Sequence, residues 1–539
     1  MLVGWHGWKI LGARGKRLLT DKAKIVSENL RPSEESSPQS DHHSSCGLSL
    51  TFSFIYNITP LLAVVMALRI SAKRAAIALK GCNSATPAVT TLKRNASQAT
   101  AAASNATSQL KSDGNRASSL PNPDPAPDSA TAAIVNQQAP YMVRTYARPP
   151  PMFVRAQGMY LWDAEDRKYL DFTAGIAVNA LGHCDPEVSE IIADQARTVV
   201  HTSNLYYNPW TGALSELLVK KTLESGSMHT ARAAFICNSG SEANEAALKF
   251  ARKCGKVLDP SGEKYEVVSF HNSFHGRTMG SLSATPNPKY QKPFSPMVPG
   301  FKYGNFNDIA AINDLVTEKT CGVIVEPIQG EGGVNVGTED FLVALAARCR
   351  EVGAVLIYDE IQCGLSRTGT FWAHAAVPKS AHPDIVTTAK ALGNGFPIGA
   401  TIVSESVAEK INIGDHGTTF GGNPLGSRLA HHIVSRLSSP ELQSAVLKRS
   451  KFLVAKLEEL RAKYPDLITE IRGKGLIIGV QMTQDPGSII SAARERGLLI
   501  ITAGTNTLRF VPSLTITEGE IEEGLEILDK AIASVAGSQ

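Results

Sequence analysis

Five clusters of polar and small residues in this 539-residue chain each follow a short apolar run. The clusters are residues 238–241, 271–277, 326–333, 359–362 and Lys390, and the runs before them are 234–237, 266–270, 322–325, 354–358 and 384–389. Such runs, alternating with amphipathic helical patterns, are typical of strands in a parallel α/β sheet. Because ligands bind outside the carboxyl ends of these strands, the pattern predicts one site formed by all five clusters.

The first cluster contains a turn of small residues, Ser239, Gly240 and Ser241, which leads into a helical pattern. Unpaired N–H groups at the start of a helix, together with the helix dipole, bind anions such as phosphate. A simple helix N-cap has the same composition. The turn alone leaves both interpretations open.

Lys390 and Asp359 each end an apolar run. Burial lowers the pKa of a lysine and makes its amine a nucleophile toward aldehydes. A buried carboxylate is costly unless it meets a cation or a hydrogen-bond donor. A protonated pyridine nitrogen is one possible partner for Asp359, and capping of the following helix is the alternative.

Three further side chains have chemistry suited to the same site. Phe274 can stack on a planar ring, Arg277 offers a planar fork for a carboxylate, and Gln362 can reach a cofactor oxygen. The alternatives are a core position for Phe274 and solvated surface positions for the other two.

Bulk composition excludes some classes of function. The formal charge of +4 is small for the length, and 43% hydrophobic with 19% charged residues is typical of a globular protein, so no nucleic-acid partner is expected. The eight cysteines show no spacing of metal ligands, which predicts reduced thiols and no metal site.

The first 140 residues have a different composition from the rest. No acidic residue lies between Asp41 and Asp113, while Arg, Lys, Ser and Ala are frequent. Such composition is typical of a mitochondrial transit peptide, so residues 66–140 are predicted to be a disordered leader and linker addressed to the mitochondrial matrix, and residues 1–65 a disordered extension. A low-complexity tail without an address is the alternative. Residues 48–68 are apolar but interrupted by polar residues, and no stable membrane association is expected.

Six ordered motifs resemble those of the class III aminotransferases, which depend on pyridoxal 5'-phosphate (PLP). They are residues 239–245, 274–278, 326–332, 359–362, Lys390 and 417–424. The resemblance covers about residues 140–537 and implies an α/β protein of PLP-dependent transferase fold type I. Such a protein has a mostly parallel central sheet with helices on both faces, plus a smaller α+β C-terminal domain.

The predicted division of the chain follows from the same resemblance. Residues 141–200 would be the N-terminal segment of the small domain, 201–424 the large PLP-binding domain, and 425–539 the C-terminal small domain. Residues 175–179, 203–207 and 508–512 are most similar to acetylornithine aminotransferases.

The resemblance also implies roles for single residues. Lys390 would hold PLP as a Schiff base and shuttle the proton, and Asp359 would contact the pyridine nitrogen; these two are the predicted catalytic residues. The predicted cofactor-binding residues are Ser239, Gly240, Ser241, Phe274, His275, Asp359, Gln362, Lys390, Thr418 and Thr419. Thr419 would act on the neighbouring subunit's cofactor in a homodimer with shared active sites.

The implied substrates are acetylornithine, 2-oxoglutarate and glutamate. Arg277 would bind the α-carboxylate of acetylornithine, and Arg509 that of glutamate or 2-oxoglutarate. Glu331 would pair with Arg509 while the other substrate is bound, and Asn204 and Tyr206 are further predicted substrate contacts. The reaction would transfer the δ-amino group of acetylornithine to 2-oxoglutarate in arginine biosynthesis.

Three alternatives remain open at this point. The first is a related ω-amino transferase acting on ornithine, succinylornithine or 4-aminobutyrate. The second is a PLP aminomutase or decarboxylase of the same fold, whose activity would not depend on 2-oxoglutarate. The third is a non-catalytic binding or scaffold protein, which would lack the absorption band of the bound cofactor.

Overall fold

The computed structural model describes residues 120–536 of the chain. The predicted extension (1–65), the apolar stretch (48–68) and the predicted leader before residue 120 lie outside the described residues.

The described residues contain seventeen strands and fourteen α-helices. The strands are β1 Phe153–Gln157, β2 Tyr160–Asp163, β3 Lys168–Asp171, β4 Ala231–Cys237, β5 Glu266–Phe270, β6 Phe301–Gly304, β7 Thr320–Val325, β8 Ile328–Gln329, β9 Asn335–Val336, β10 Val355–Asp359, β11 Ile385–Thr388, β12 Gly399–Ser404, β13 Ile468–Lys474, β14 Ile477–Met482, β15 Leu498–Leu499, β16 Ile501–Ala503 and β17 Thr507–Phe510. The helices are α1 Ala130–Gln138, α2 Ala174–Ala177, α3 Pro186–Thr198, α4 Pro209–Glu224, α5 Gly240–Leu258, α6 Met279–Ser283, α7 Pro288–Gln291, α8 Ile312–Leu315, α9 Glu339–Val352, α10 Glu405–Ala408, α11 Pro424–Leu437, α12 Pro440–Lys463, α13 Gly487–Arg494 and α14 Glu518–Ala536.

The largest sheet has seven strands in the order β4-β12-β11-β10-β7-β5-β6. Strands β5, β6, β7, β10 and β11 pair in parallel, and β12 is antiparallel to both of its neighbours. Every residue of β7 and β10 is buried, as expected of central strands covered on both faces. This explains why these strands appear in the sequence as continuous apolar runs rather than alternating ones.

Helices cover both faces of this sheet. Ile324 and Ile357 face a cluster that contains the alanine-rich side of α5. Adjacent residues of the same strands, Val325 and Leu356, face a second cluster that contains α9. Successive side chains of a strand point to opposite faces, so each strand contributes to both layers. This architecture confirms the predicted fold class.

Two smaller sheets join residues that are distant in the sequence. One has the order β1-β2-β3-β15, so that the N-terminal strands pair with Leu498–Leu499 through β3. The other has the order β13-β14-β17-β16. The pairing of β3 with β15 agrees with one small domain built from both ends of the chain, although the predicted boundaries at 200/201 and 424/425 stay predictions.

The predicted disorder of the linker is wrong from residue 120 onward. Asn122 is buried and its backbone N–H donates to the Glu495 carbonyl at 3.0 Å. The Arg494 guanidinium pairs with the Asp124 carboxylate, with Nη2 and Oδ2 2.6 Å apart. The following residues form α1, whose first turn is capped by Ser129. The composition of residues 66–140 predicted a disordered linker, whereas contacts with distant residues fix this segment.

Two further observations concern residues 120–536 alone. No helix there combines the length and the apolar character needed to cross a bilayer. All six cysteines of this part of the chain are free thiols.

Candidate active site

A cavity of about 320 Å³ lies where the parallel strands of the large sheet end. Each of the five predicted clusters contributes to its lining, so the clusters meet at one place. The polar and glycine residues contributed are Asn238, Ser239, Gly240, Ser241, His275, Gly276, Glu326, Asp359, Gln362 and Lys390, with Phe274 beside them.

Backbone donors at one wall of the cavity come from the start of α5. Ser239 caps the helix, because its Oγ accepts a hydrogen bond from the Glu242 N–H at 3.2 Å. Within the described residues, the N–H groups of Gly240 and Ser241 have no hydrogen-bond acceptor. The turn is therefore both an N-cap and a pair of open donors at the positive end of a 19-residue helix.

Gly276 brings a second chain segment against this turn. Its φ of +134° is unfavourable for other residues, and a Cβ there would lie 2.3 Å from the Ser241 Oγ. The close approach allows the Arg277 N–H to donate to the same Oγ at 3.2 Å.

Asp359 is held at the inner end of the cavity by three donors. Its Oδ2 accepts from Asn244 Nδ2 at 2.8 Å and lies 2.7 Å from His275 Nδ1, while its Oδ1 accepts the Ile361 N–H at 3.1 Å. The side chain is 3% exposed. Because a carboxylate offers about four acceptor positions, one position remains for a donor in the cavity.

Lys390 follows β11 and lines the same cavity. Its φ of +45° is rare for a non-glycine residue, and such strain is found most often at functional sites. Burial, with the positive charge of Arg509 as a second cause, lowers the pKa of its amine to about 8. About a tenth of the amine is therefore neutral, and able to act as a nucleophile, at pH 7, a far larger fraction than for an ordinary lysine.

Glu326 is a buried acid in the cavity wall. Its carboxylate accepts the Phe274 N–H at 2.8 Å and the Gly330 N–H at 3.1 Å. Burial raises the pKa of this carboxyl group well above its ordinary value. The nearby His275 lowers the same pKa, and the negative charge of Asp359 raises it. Glu326 therefore fixes the backbone beside Phe274 and can hold a proton.

Arg509 connects three of the predicted residues. Its Nη2 pairs with Glu331 Oε2 at 2.8 Å, and its Nη1 donates to Gln362 Oε1 at 3.1 Å. Arg509 is 2% exposed, and its Nε has no hydrogen-bond partner among residues 120–536, whereas Glu331 is 35% exposed. The Arg509 guanidinium is thus fixed by burial, whereas the partly exposed Glu331 carboxylate can move away from it.

Arg277 lies at the exposed end of the site. Its guanidinium is 3.6 Å from the ring centroid of Tyr290 and 5.3 Å from that of Phe274. The guanidinium of Arg277 therefore packs against two aromatic rings.

Seven predicted residues do not line the cavity of the single chain. They are Arg277, Glu331 and Arg509, described above, and Asn204, Tyr206, Thr418 and Thr419. Thr418 Oγ1 donates to Glu242 Oε1 at 3.1 Å, and Asn204 Nδ2 donates to backbone carbonyls of the loop around Thr418. Tyr206 and Thr419 are exposed. Their roles stay predictions, and the exposed positions agree with contacts made in a second subunit.

Asn244 was not singled out in the sequence, although it joins Asp359 to the sheet. Its Nδ2 donates to Asp359 and its Oδ1 accepts the Thr387 hydroxyl at 2.8 Å. The sequence feature that could have revealed Asn244 is its position as a polar residue on the buried, alanine-rich face of α5. Glu326 ended a predicted strand in the same way as Asp359 but was given no role.

The lining groups fit PLP. The open donors of Gly240 and Ser241 suit its phosphate, the remaining acceptor position of Asp359 suits its protonated ring nitrogen, and the amine of Lys390 suits its aldehyde. Within the part of the chain that the structure describes, the buried His275 Nε2 has no hydrogen-bond partner and is free to contact a bound group.

Comparisons with known proteins agree with this site. The family model described as "Aminotransferase class-III" matches residues 141–532. The chain is 70% identical over 419 residues to the mitochondrial acetylornithine aminotransferase of Neurospora crassa, an alignment that covers 78% of this chain and 91% of that protein.

Solved structures give the same result. The N-acetylornithine aminotransferase of Stenotrophomonas maltophilia matches with a TM-score of 0.64 and 35% identity, over 75% of this chain and all of that chain (100%). The ornithine aminotransferase of Toxoplasma gondii matches with a TM-score of 0.70 and 30% identity, over 76% and 97%. The chain belongs to the class III aminotransferases, a PLP-dependent family.

Proposed function

We propose that this enzyme transfers the δ-amino group of N2-acetyl-L-ornithine to 2-oxoglutarate, giving N-acetyl-L-glutamate 5-semialdehyde and L-glutamate, as a step of arginine biosynthesis. The observation that carries the proposal is the meeting of Lys390, Asp359 and the α5 N-terminus in one cavity. The substrate follows from the 70% identity to a relative named acetylornithine aminotransferase.

PLP, when bound, supplies a ring that withdraws electrons from the substrate carbon losing its proton. Asp359 would keep the ring nitrogen protonated, and His275 and Asn244 would hold the Asp359 carboxylate in place. Gly240 and Ser241 would bind the phosphate, and Phe274 would pack on the ring.

The amine of Lys390 would bind the cofactor at rest and move the proton during turnover. Its lowered pKa suits both tasks, because a base is most effective when its pKa lies close to the working pH. After release from the cofactor, Nζ would accept the proton from the δ-carbon of the substrate and donate it to the C4′ carbon of the cofactor. It would move a proton in the opposite direction, from C4′ to the α-carbon of the new glutamate, in the second half-reaction.

Arg277 and Arg509 would select the substrates. Arg277 would bind the α-carboxylate of acetylornithine at the exposed end of the site. Glu331 would neutralise Arg509 while this donor is bound, and would turn away when 2-oxoglutarate brings a carboxylate to Arg509. The partial exposure of Glu331 supports such a movement.

The working form would be a homodimer in the mitochondrial matrix. Tyr206 is 72% exposed, Tyr207 is fully exposed at 105%, and Phe420 is 64% exposed, all in segments beside the predicted site residues. Contiguous exposed apolar residues indicate a protein interface. The relative from Neurospora crassa is named a mitochondrial enzyme, which supports the location.

Steady-state kinetics with four amino donors test the proposal. Purified enzyme would be assayed with acetylornithine, succinylornithine, ornithine and 4-aminobutyrate, each with and without 2-oxoglutarate. The proposal predicts the highest kcat/KM for acetylornithine and no sustained turnover without 2-oxoglutarate. A higher kcat/KM for ornithine would make the protein an ornithine aminotransferase, and turnover without 2-oxoglutarate would indicate an aminomutase or decarboxylase.

A further inference from the structure

The guanidinium of Arg277 rests on an aromatic surface formed by two rings. Its Cζ is 3.6 Å from the centroid of Tyr290, well inside the range of a cation–π contact, and 5.3 Å from the centroid of Phe274. The two rings meet edge to face, with centroids 6.3 Å apart and planes at 87°. We call this group of three side chains the aromatic clamp.

The clamp fixes Arg277 without using its hydrogen-bonding groups. Within residues 120–536, no carboxylate lies within 4 Å of the guanidinium, and its side chain makes no hydrogen bond. Arg509 differs, because it is paired with Glu331 and Gln362. A ring face attracts the cation but leaves its N–H groups directed outward, so Arg277 stays ready for a carboxylate.

Tyr290 is held firmly enough to serve as a support. It belongs to α7, whose first turn is capped by Asn287. The next residue, Gln291, donates from Nε2 to the carbonyls of Leu282 at 3.1 Å and Thr285 at 3.0 Å. Those carbonyls lie at the end of α6, the helix that begins two residues after Arg277, so ring and cation share one local framework.

We propose that Tyr290 is a positioning residue that sets the preference for amino donors carrying a carboxylate remote from the reacting amine. This inference rests on the proposed function, because it assigns Arg277 to the α-carboxylate of acetylornithine. Tyr290 acts through Arg277: the ring limits the guanidinium to orientations in which its fork meets that carboxylate. Without the ring the long arginine side chain samples many orientations, and ordering it upon binding costs affinity.

The test compares two donors that differ only in the carboxylate. N-Acetylputrescine has the acetyl group and the primary amine of acetylornithine but lacks the α-carboxylate. The first half-reaction would be followed by the cofactor's absorbance in single turnovers without 2-oxoglutarate, so that binding of the second substrate does not contribute. For Tyr290→Leu we expect a fall in kcat/KM for acetylornithine of about two- to thirtyfold, the range of a cation–π contact, and less than a twofold change for N-acetylputrescine.

Three further variants complete the design. Tyr290→Phe keeps the ring and is expected to restore the preference for acetylornithine. Phe294→Leu removes an exposed ring, with 61% of the residue accessible, that makes no cation–π contact with Arg277 in the described part of the chain. This variant is expected to leave both reactions unchanged. In an Arg277→Leu background, Tyr290→Leu is expected to cost nothing more, because the cation on which the ring acts is gone.

Two results would overturn the proposal. One is an equal loss for both donors in Tyr290→Leu, which would indicate general damage to the site. The other is an equal fall in kcat/KM for acetylornithine when Tyr290→Leu is made in the wild type and in the Arg277→Leu background. This comparison tests the proposal even if N-acetylputrescine reacts too slowly to measure. A wild-type enzyme that does not react with acetylornithine would instead refute the proposed function.

Discussion

The inner end of the cavity and its mouth are built in different ways. At the inner end, Asp359 is 3% exposed and has three hydrogen-bond donors, all from its own chain. At the mouth, Arg277 is exposed and follows Gly276, which lines the cavity. A single chain therefore encloses the predicted catalytic residues but leaves this predicted substrate contact open to solvent.

This difference has a physical cause. Proton transfer needs groups whose pKa values are shifted by burial, and burial requires a continuous packed wall. Substrate selection needs groups that can be approached from solvent and then covered. We therefore expect changes at the inner end to affect every donor equally, and changes at the mouth to affect donors differently.

The largest effect is expected from Asp359→Asn. In the proposed mechanism the amide would remove the charge that keeps the ring nitrogen of PLP protonated, and we expect kcat to fall by about a hundredfold or more for all donors. The measurement is kcat with acetylornithine and with ornithine.

A matched control for this variant is Asp163→Asn. Asp163 is a buried carboxylate that binds Arg167 and Tyr169 outside the cavity. Its loss should lower the melting temperature but leave kcat within a few-fold. A wild-type kcat in Asp359→Asn would contradict the assignment of the inner end.

The pH dependence of cofactor capture is the second test of the inner end. A protonated Lys390 cannot attack an aldehyde, so the rate at which the cofactor-free enzyme takes up PLP should rise with pH and level off above about pH 8. The neutral fraction implies an increase of about eightfold between pH 7 and 8.5. N-Acetyl-lysine methylamide serves as the reference amine, and an identical pH profile for both amines would show that burial does not shift Lys390.

A moderate effect is expected from Glu331→Gln. Removing the charge that competes for Arg509 should lower KM for 2-oxoglutarate by about three- to fivefold, because the partly exposed pair contributes about 1 kcal/mol or less. Glu470→Gln is the control, since Glu470 pairs with Arg472 and not with Arg509. An unchanged or raised KM would show that Glu331 is not the competitor.

The smallest effect is expected from Thr419→Ala. If Thr419 donates to the phosphate of the neighbouring subunit's cofactor, the variant should release PLP about two- to fivefold faster in the dimer. Thr418→Ala is the comparison, because Thr418 is bonded to Glu242 of its own chain. Unaltered PLP release by Thr419→Ala in a dimeric sample would remove Thr419 from the shared site.

The sequence predicted the central strands well, because each buried parallel strand is a continuous apolar run bounded by polar residues. The run 266–270 coincides with β5, and the run 322–325 lies inside β7. The convergence of the five clusters followed from one topological rule about strand ends.

The sequence could not predict features that depend on contacts between distant residues. The bond from Asn244 to Asp359 joins positions 115 residues apart. The ordered segment around Asp124 depends on Arg494, 370 residues away. The contact between Arg277 and Tyr290 depends on how two short helices pack. None of these leaves a periodic pattern, so composition and spacing did not reveal them.

The most direct measurement for the whole account is the site of cofactor attachment. The holoenzyme would be reduced with borohydride, digested and analysed by mass spectrometry, with Lys390→Ala as the control. The account predicts a pyridoxyl group on Lys390 and none in the control. A pyridoxyl group on another lysine, or on none, would contradict the assignment of the cavity.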